Sequence, residues 1–265
     1  MVDVLRWRSI RHMIPISDDN PTLRFPLVTV VLLVAIGAVW IFVQHAGLDP
    51  MQLSAMMCNF GLVPGELTGQ AHVGLAVPMG RGLYCVVDRD VINYFTPITS
   101  MFLHGGWAHL LGNGIFLWVF GNNVEDSMGR ARFVLFYLLC GLAAAGAQIA
   151  IDPASPVPMI GASGAVSGVL GAYLILYPRV RVHMFVGFFL LSLPAYLVLL
   201  IWIGMQLLAG LPQLTTLNQA AGSGVAVWAH IGGFFAGVAL IKLFENPRLT
   251  RERTFVRHTN HPSHW

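Results

Sequence analysis

Charge is scarce in this 265-residue chain. Only 10% of its residues are Asp, Glu, Lys or Arg and 56% are hydrophobic, whereas soluble domains carry about 25% charged residues. Mean hydropathy is +0.69. These values exclude an ordinary soluble domain and define an integral membrane protein. Cysteine is scarce as well. There are three, with no Cys-x-x-Cys or other metal-type spacing, which excludes a zinc ribbon or a disulfide-rich scaffold. Cys58 and Cys85 fall in one long polar segment and can pair if that segment is extracytoplasmic, the alternative being a free thiol there. Cys140 lies inside an apolar run, and all three read as structural. The net charge of +3 does not make a nucleic-acid surface, because the bases are sorted by loop instead of gathered in one patch. No Ala-x-Ala site follows the first apolar run, 27–43. That run exceeds the roughly 7–15 residues of a signal-peptide core, so it reads as retained.

Six apolar runs follow one another: 27–43, 109–124, 133–151, 163–177, 184–208 and 225–244. Lipid leaves isolated apolar runs no use but the helix. The expected fold is therefore an all-α polytopic membrane protein with six transmembrane helices. Pro194 is expected to kink the fifth span. Residues 1–25 form a polar, basic N-terminal segment, 26–244 the membrane domain, and 245–265 a basic tail. Between the first two spans, 45–100 is a long loop rich in Gly and Pro. The loop 152–159 holds three prolines and no base, and 212–224 is polar and uncharged. Thirteen of the fifteen Lys and Arg fall on one side of this topology, leaving only Arg81 and Arg89 on the other. The positive-inside rule then puts both termini in the cytoplasm and the long first loop outside.

The chemistry centres on Gly161-Ala162-Ser163-Gly164. A serine at a loop-to-helix junction has helix N–H groups aimed at any negative charge that develops beside it. That is half of an acyl-transfer site. Taken alone, such a Gly/Ala/Ser run is more often a packing surface between membrane helices. The span it opens is short, roughly 21 Å against a hydrocarbon core of about 30 Å. Pro178, Arg179 and Arg181 pin its far end at the cytoplasmic interface, so Ser163 lies below the outer surface under an outward-opening cavity.

An ionisable residue inside a span is a functional-site hypothesis by default, and the sixth span carries His230. It shares a helix face with Gly233 and Gly237, while Ser163, Ser167 and Gly171 line the fourth span. Two such small-residue faces allow close approach, and His230 and Ser163 enter from the same side at similar depth. The plainer reading is a histidine bonded across helices for packing alone. At the start of the second span, His109 and Asn113 stand at i and i+4 on one face, two donors fit for an oxyanion hole. His104 does not share that face and is expected to hold the loop through local hydrogen bonds. A zinc site of His104, His109 and His230 is weak, since no His-Glu-x-x-His occurs. His258, His261 and His264 read as a solvated tail.

Together these motifs resemble the bacterial rhomboid intramembrane serine proteases, over nearly the whole chain. Asp18-Asp19-Asn20-Pro21-Thr22 and Phe60-Gly61-Leu62-Val63-Pro64 are also similar to that family. The resemblance implies Ser163 as nucleophile and His230 as general base, with no third acidic member, no metal and no cofactor. It implies an oxyanion hole of His109, Asn113 and the Ser163 backbone N–H, supported by Gly161, Gly164, Gly233 and Gly237. The implied partners are single-span membrane proteins in the bilayer, cut near the outer end of their helix, and the implied location is the bacterial inner membrane. Oligomeric state is left open. Two positions depart from the family pattern. Ile92-Asn93 stands where many relatives have Trp-Arg, which questions how the first loop is anchored. Ser167 replaces an aromatic residue against the histidine ring, so the Ser167 hydroxyl is a candidate to orient His230. A transporter with an intramembrane histidine fits less well, since no inverted repeat or mid-depth acid is visible. An inactive helix-binding relative should have lost Ser163 or His230.

Overall fold

The computed structural model describes residues 13–88, 93–187, 189–215 and 226–252. Arg6, Arg8, Arg11, Arg89, Ile92, Arg253, Arg257 and the three tail histidines lie outside the described residues, as does 216–225 of the uncharged loop. In chain order the elements are β1 (Met13–Asp18), α1 (Leu27–Ala38), α2 (Pro50–Phe60), β2 (Ala76–Gly80), β3 (Leu83–Val86), α3 (Trp107–Phe116), α4 (Asn122–Met128), α5 (Arg130–Ile151), α6 (Ser163–Leu176), β4 (Arg181–Val186), β5 (Phe189–Pro194), α7 (Ala195–Thr215) and α8 (Val227–Phe244). The π-helical stretch Leu117–Gly121 joins α3 to α4, and another, Val39–Val43, extends α1.

Among the described residues, three helices are long and apolar enough to cross a membrane: Arg130–Ile151, Ala195–Pro212 and Val227–Phe244. Leu27–Val43 and Ser163–Leu176 are shorter apolar helices. The chain is thus a mainly helical polytopic membrane protein, with α6 at its centre. The α6 residues Gly164 through Tyr173 are buried without interruption, flanked by α5 and α8 and capped by Phe133, Tyr137 and Phe120 of the common core.

The helices are not the whole fold, and the all-α expectation needs correcting. β1, β4 and β5 form an antiparallel sheet with β4 in the middle, and β2 and β3 form a hairpin in the first loop. The fifth span starts at Ala195 and not near residue 184. Pro194 ends β5 instead of kinking a helix, while Pro212 sits inside α7. Residues 184–194 are apolar enough to extend a helix on hydropathy alone, but β4 alternates. Val182 and Met184 are buried while Arg181 and Phe185 are exposed, which is the two-residue period of a strand with one covered face.

Four acids, Glu125 and Asp126 among them buried, tie this sheet end together. The α1 N-cap, Pro26, has no capping side chain. Glu125 of α4, only 3% exposed, reaches across instead. Its carboxylate accepts from Val28 N–H at 3.0 Å, Thr29 N–H at 2.8 Å and the Thr29 hydroxyl at 2.8 Å. A carboxylate at a helix N-terminus satisfies orphan donors and meets the positive end of the dipole. Asp126 beside it accepts from Leu23 N–H at 2.8 Å and Arg24 at 3.0 Å. Asp18 accepts from the Tyr173 hydroxyl and from Asn123 at 2.9 Å, and His183 meets Asp19 at 2.8 Å.

The first loop is anchored to the loop before α6. Leu62 N–H donates to Met159 C=O at 2.9 Å, Met159 N–H returns to Leu62 C=O at 2.7 Å, and Gly65 N–H donates to Ser155 C=O at 2.8 Å. Cys58 and Cys85 form a disulfide between α2 and β3, which decides the pairing that composition left open. Cys140 is free and buried.

Candidate active site

The site is built on one turn and three helix faces. Gly161 has φ +115, a left-handed conformation that favours glycine. A Cβ there would also stand 2.6 Å from His109 Nε2. Gly161 N–H donates to Ser100 C=O at 2.8 Å, and the chain then enters α6 with Ser163 as its first residue. Just beyond, glycines on both helices let α6 and α8 approach closely. A Cβ on Gly233 would overlap the Gly164 carbonyl oxygen, and one on Gly237 the Gly168 carbonyl oxygen. Backbone therefore lies against backbone, and this brings the two functional side chains together.

Ser163 Oγ and His230 Nε2 are 2.8 Å apart. The other ring nitrogen, Nδ1, lies 3.0 Å from Gln206 Oε1 on α7. Trp202, one turn earlier on α7, lies against the ring with centroids 6.0 Å apart and planes at 39°. The expectation for Ser167 is corrected here. Its hydroxyl donates to Ser163 C=O at 2.6 Å, one turn back on its own helix, the local bond that serine makes inside helices. The residues facing His230 are Gln206 and Trp202, neither of which the sequence reading singled out. The available signal was an amide inside an apolar span, where polar side chains need a partner.

His109 and Asn113 meet the turn before Ser163, as their shared face requires. A Cβ on Gly161 would stand 3.7 Å from Asn113 Nδ2. Gly105 N–H points at His109 Nδ1 at 3.4 Å. Nδ1 is therefore the acceptor, and the ring proton sits on Nε2, the atom facing Gly161. Asn113 is 7% exposed and donates one amide hydrogen to His109 C=O at 3.0 Å, leaving a second. His104 departs from expectation. Its ring meets His109 edge-on at 5.0 Å. The loop is held instead by Gln44. The Gln44 amide donates to His104 C=O at 2.7 Å and accepts from His104 N–H at 2.9 Å.

Beside Ser163 is a cavity of about 30 Å³ whose lining includes Met101, Ala144, Gly161, Gly164, Ala226 and Ala229. Its walls are mostly small side chains, with Pro97, Met101, Met159 and Ile160 as the larger ones.

The chain is thus a helical membrane protein with a serine and a histidine in hydrogen-bond contact between two glycine-faced helices. The family model described as Rhomboid domain matches residues 92–246, and the chain belongs to the rhomboid family. Among its relatives, Rhomboid protease GluP of Bacillus subtilis (strain 168) is 34% identical over 143 residues, covering 54% of this chain and 25% of GluP. Rhomboid-related protein 2 of Mus musculus is 26% identical over 214 residues, covering 79% of this chain and 62% of that protein. Rhomboid protein 1, mitochondrial, of Saccharomyces cerevisiae is 30% identical over 108 residues, covering 39% of this chain and 31% of the yeast protein. The matches thus span from a quarter to under two thirds of these relatives.

Proposed function

We propose that this rhomboid is an intramembrane serine endopeptidase that cuts single-span membrane proteins near the outer end of their transmembrane helix. The observation that carries the reading is the 2.8 Å contact between Ser163 Oγ and His230 Nε2. Ser163 attacks the scissile carbonyl while His230 Nε2 takes its proton. The imidazolium then protonates the leaving amine, and water resolves the acyl-enzyme with His230 again as base. The developing oxyanion is met by the Ser163 backbone N–H at the start of α6, by His109 Nε2–H and by the second amide hydrogen of Asn113. A membrane helix hides its peptide bonds in hydrogen bonds, so the substrate must unwind locally before attack, and Gly or Pro near the cut lowers that cost. The cavity beside Ser163, walled mostly by small side chains, favours a small side chain at the cleaved residue.

The chain lies in the bacterial inner membrane by this reading, with six spans, both termini in the cytoplasm and the Ser163 end open to the outer side. The distribution of arginines supports that orientation. The test is direct. Purified protein in lipid should cleave a single-span reporter with a small residue at the cut, and Ser163→Ala should abolish cleavage. A protein that binds the reporter and leaves it intact would instead be an inactive helix-binding member of the family.

A further inference from the structure

The Ser163–His230 contact leaves one question of proton placement. A neutral imidazole carries one proton on either ring nitrogen. Only the tautomer with the proton on Nδ1 leaves a lone pair on Nε2 to receive the Ser163 proton. In serine hydrolases with a third acidic member, that member accepts from Nδ1–H and so selects this tautomer. Here the atom at that position is Gln206 Oε1, 3.0 Å from Nδ1. With the amide oxygen and not the amide nitrogen turned to the ring, this hydrogen bond places the proton on Nδ1. The rival hydroxyl, Ser167, is committed to the Ser163 carbonyl.

We infer that Gln206 is a positioning residue for the reaction: its side-chain carbonyl holds the Nδ1–H tautomer of His230 and keeps Nε2 aimed at Ser163. This rests on the dyad reading above and deepens it. Gln206 touches neither substrate nor the reacting carbonyl. It acts through the ring, and Trp202 one turn away limits how far the ring can tilt. As a neutral group, Gln206 fixes the ring without adding a negative charge beside it. The residue comes from α7, which buries 28% of its spanning window inside the protein against 39% for α5 and α8. Serine and histidine are thus presented by the buried α6 and by α8, and the proton is placed from α7, which buries less of its span than α5 or α8.

The test uses the full chain in lipid, with steady-state cleavage of a single-span reporter and thermal melting read on the same samples. Gln206→Met keeps the length and removes the acceptor. It should lower kcat roughly 10–100-fold, a part of the roughly 10²–10⁴-fold that general acid–base catalysis supplies, with KM within about twofold and an unchanged melting midpoint. Gln206→Glu restores an acceptor and should recover most of the turnover. Its charge favours the imidazolium, so the low-pH fall-off of kcat/KM should move to higher pH. His109 on α3 is the other titratable group acting on this ring, and its tautomer and contacts are untouched by either change. A Gln206→Met protein with kcat within threefold of the parent overturns the inference. So does a Gln206→Glu protein that falls as far as Gln206→Met, or one whose pH profile superimposes on the parent's. If Gln206→Met does not fold, the pH profile of Gln206→Glu decides alone. Ser163→Ala and His230→Ala in the same series separate the two levels. Full turnover in His230→Ala removes the dyad, whereas dead dyad variants beside an unaffected Gln206→Met remove only the role of Gln206.

Discussion

Two of the neighbours of α8 hold it in opposite ways. Against α6 the contact is backbone on backbone, with Gly233 over the Gly164 carbonyl and Gly237 over the Gly168 carbonyl. Against α7 the contact runs through long side chains: Gln206 to His230, Trp202 to His230 and to Phe234, and Trp228 over Gly210. Backbone packing leaves no rotamer to adjust, so the serine-to-histidine distance is set by the fold. Side-chain packing can give by tenths of an ångström, so the ring's proton and tilt are set by groups that can move. In the proposed mechanism this separates placement of the nucleophile from arming of the base.

The strongest way to break the contrast is a Cβ on the α6 side. Gly237→Val pushes side-chain atoms into the Gly168 carbonyl, which cannot move without displacing α6. The loss should exceed about 3 kcal/mol, at the severe end for overpacking. Melting in detergent or lipid should show it as a large drop in midpoint, with cleavage lost in step. A variant that melts with the parent would mean that the two helices are not in backbone contact.

Asn113→Ala probes the third helix facing the site and should leave both packing faces intact. If the second amide hydrogen meets the oxyanion, the group it stabilises exists only in the transition state. The expected loss is roughly 10²–10³ in kcat, about 3–4 kcal/mol of barrier, with KM nearly unchanged. A folded Asn113→Ala protein with kcat within about threefold of the parent removes it from the oxyanion hole and leaves it as a brace for α3.

The smallest effect is expected on the α7 side. A Cβ on Gly210 would stand 3.3 Å from the Trp228 ring and 3.5 Å from Ile231 Cδ1, both side-chain atoms. Gly210→Ala should therefore change stability by less than about 1 kcal/mol, the helix propensity gain offsetting the crowding. Melting of Gly210→Ala beside Gly237→Val measures the asymmetry of α8 directly, and comparable losses in the two would abolish it.

Much of this was legible in the chain and some was not, for physical reasons. The face of Ser163, Ser167 and Gly171 and that of His230, Gly233 and Gly237 repeat at helical spacing. Close packing could therefore be read without coordinates, and His109 with Asn113 likewise. Gln206 was not legible because a single amide in an apolar run names no partner, and its partner lies 24 positions away on another helix. Glu125 was missed for the same reason. It caps α1 from about a hundred residues downstream, a contact no local pattern announces. The run 184–194 misled because continuous apolar sequence fits a buried helix and an edge strand equally. Only the alternation from Arg181 to Phe185 betrayed the strand. The disulfide depended on how α2 and the β2–β3 hairpin fold onto each other, which spacing between Cys58 and Cys85 does not encode.

The central claim is that Ser163 and His230 act as one unit. The measurement that tests it most directly is kcat for Ser163→Ala, His230→Ala and the double variant on one lipid-reconstituted reporter. Each single change should abolish detectable turnover, and the double variant should be no worse than either, because removing one member of a nucleophile–base pair already removes the pair. Turnover near that of the parent in His230→Ala, or a double variant slower by the product of two modest single losses, would contradict it.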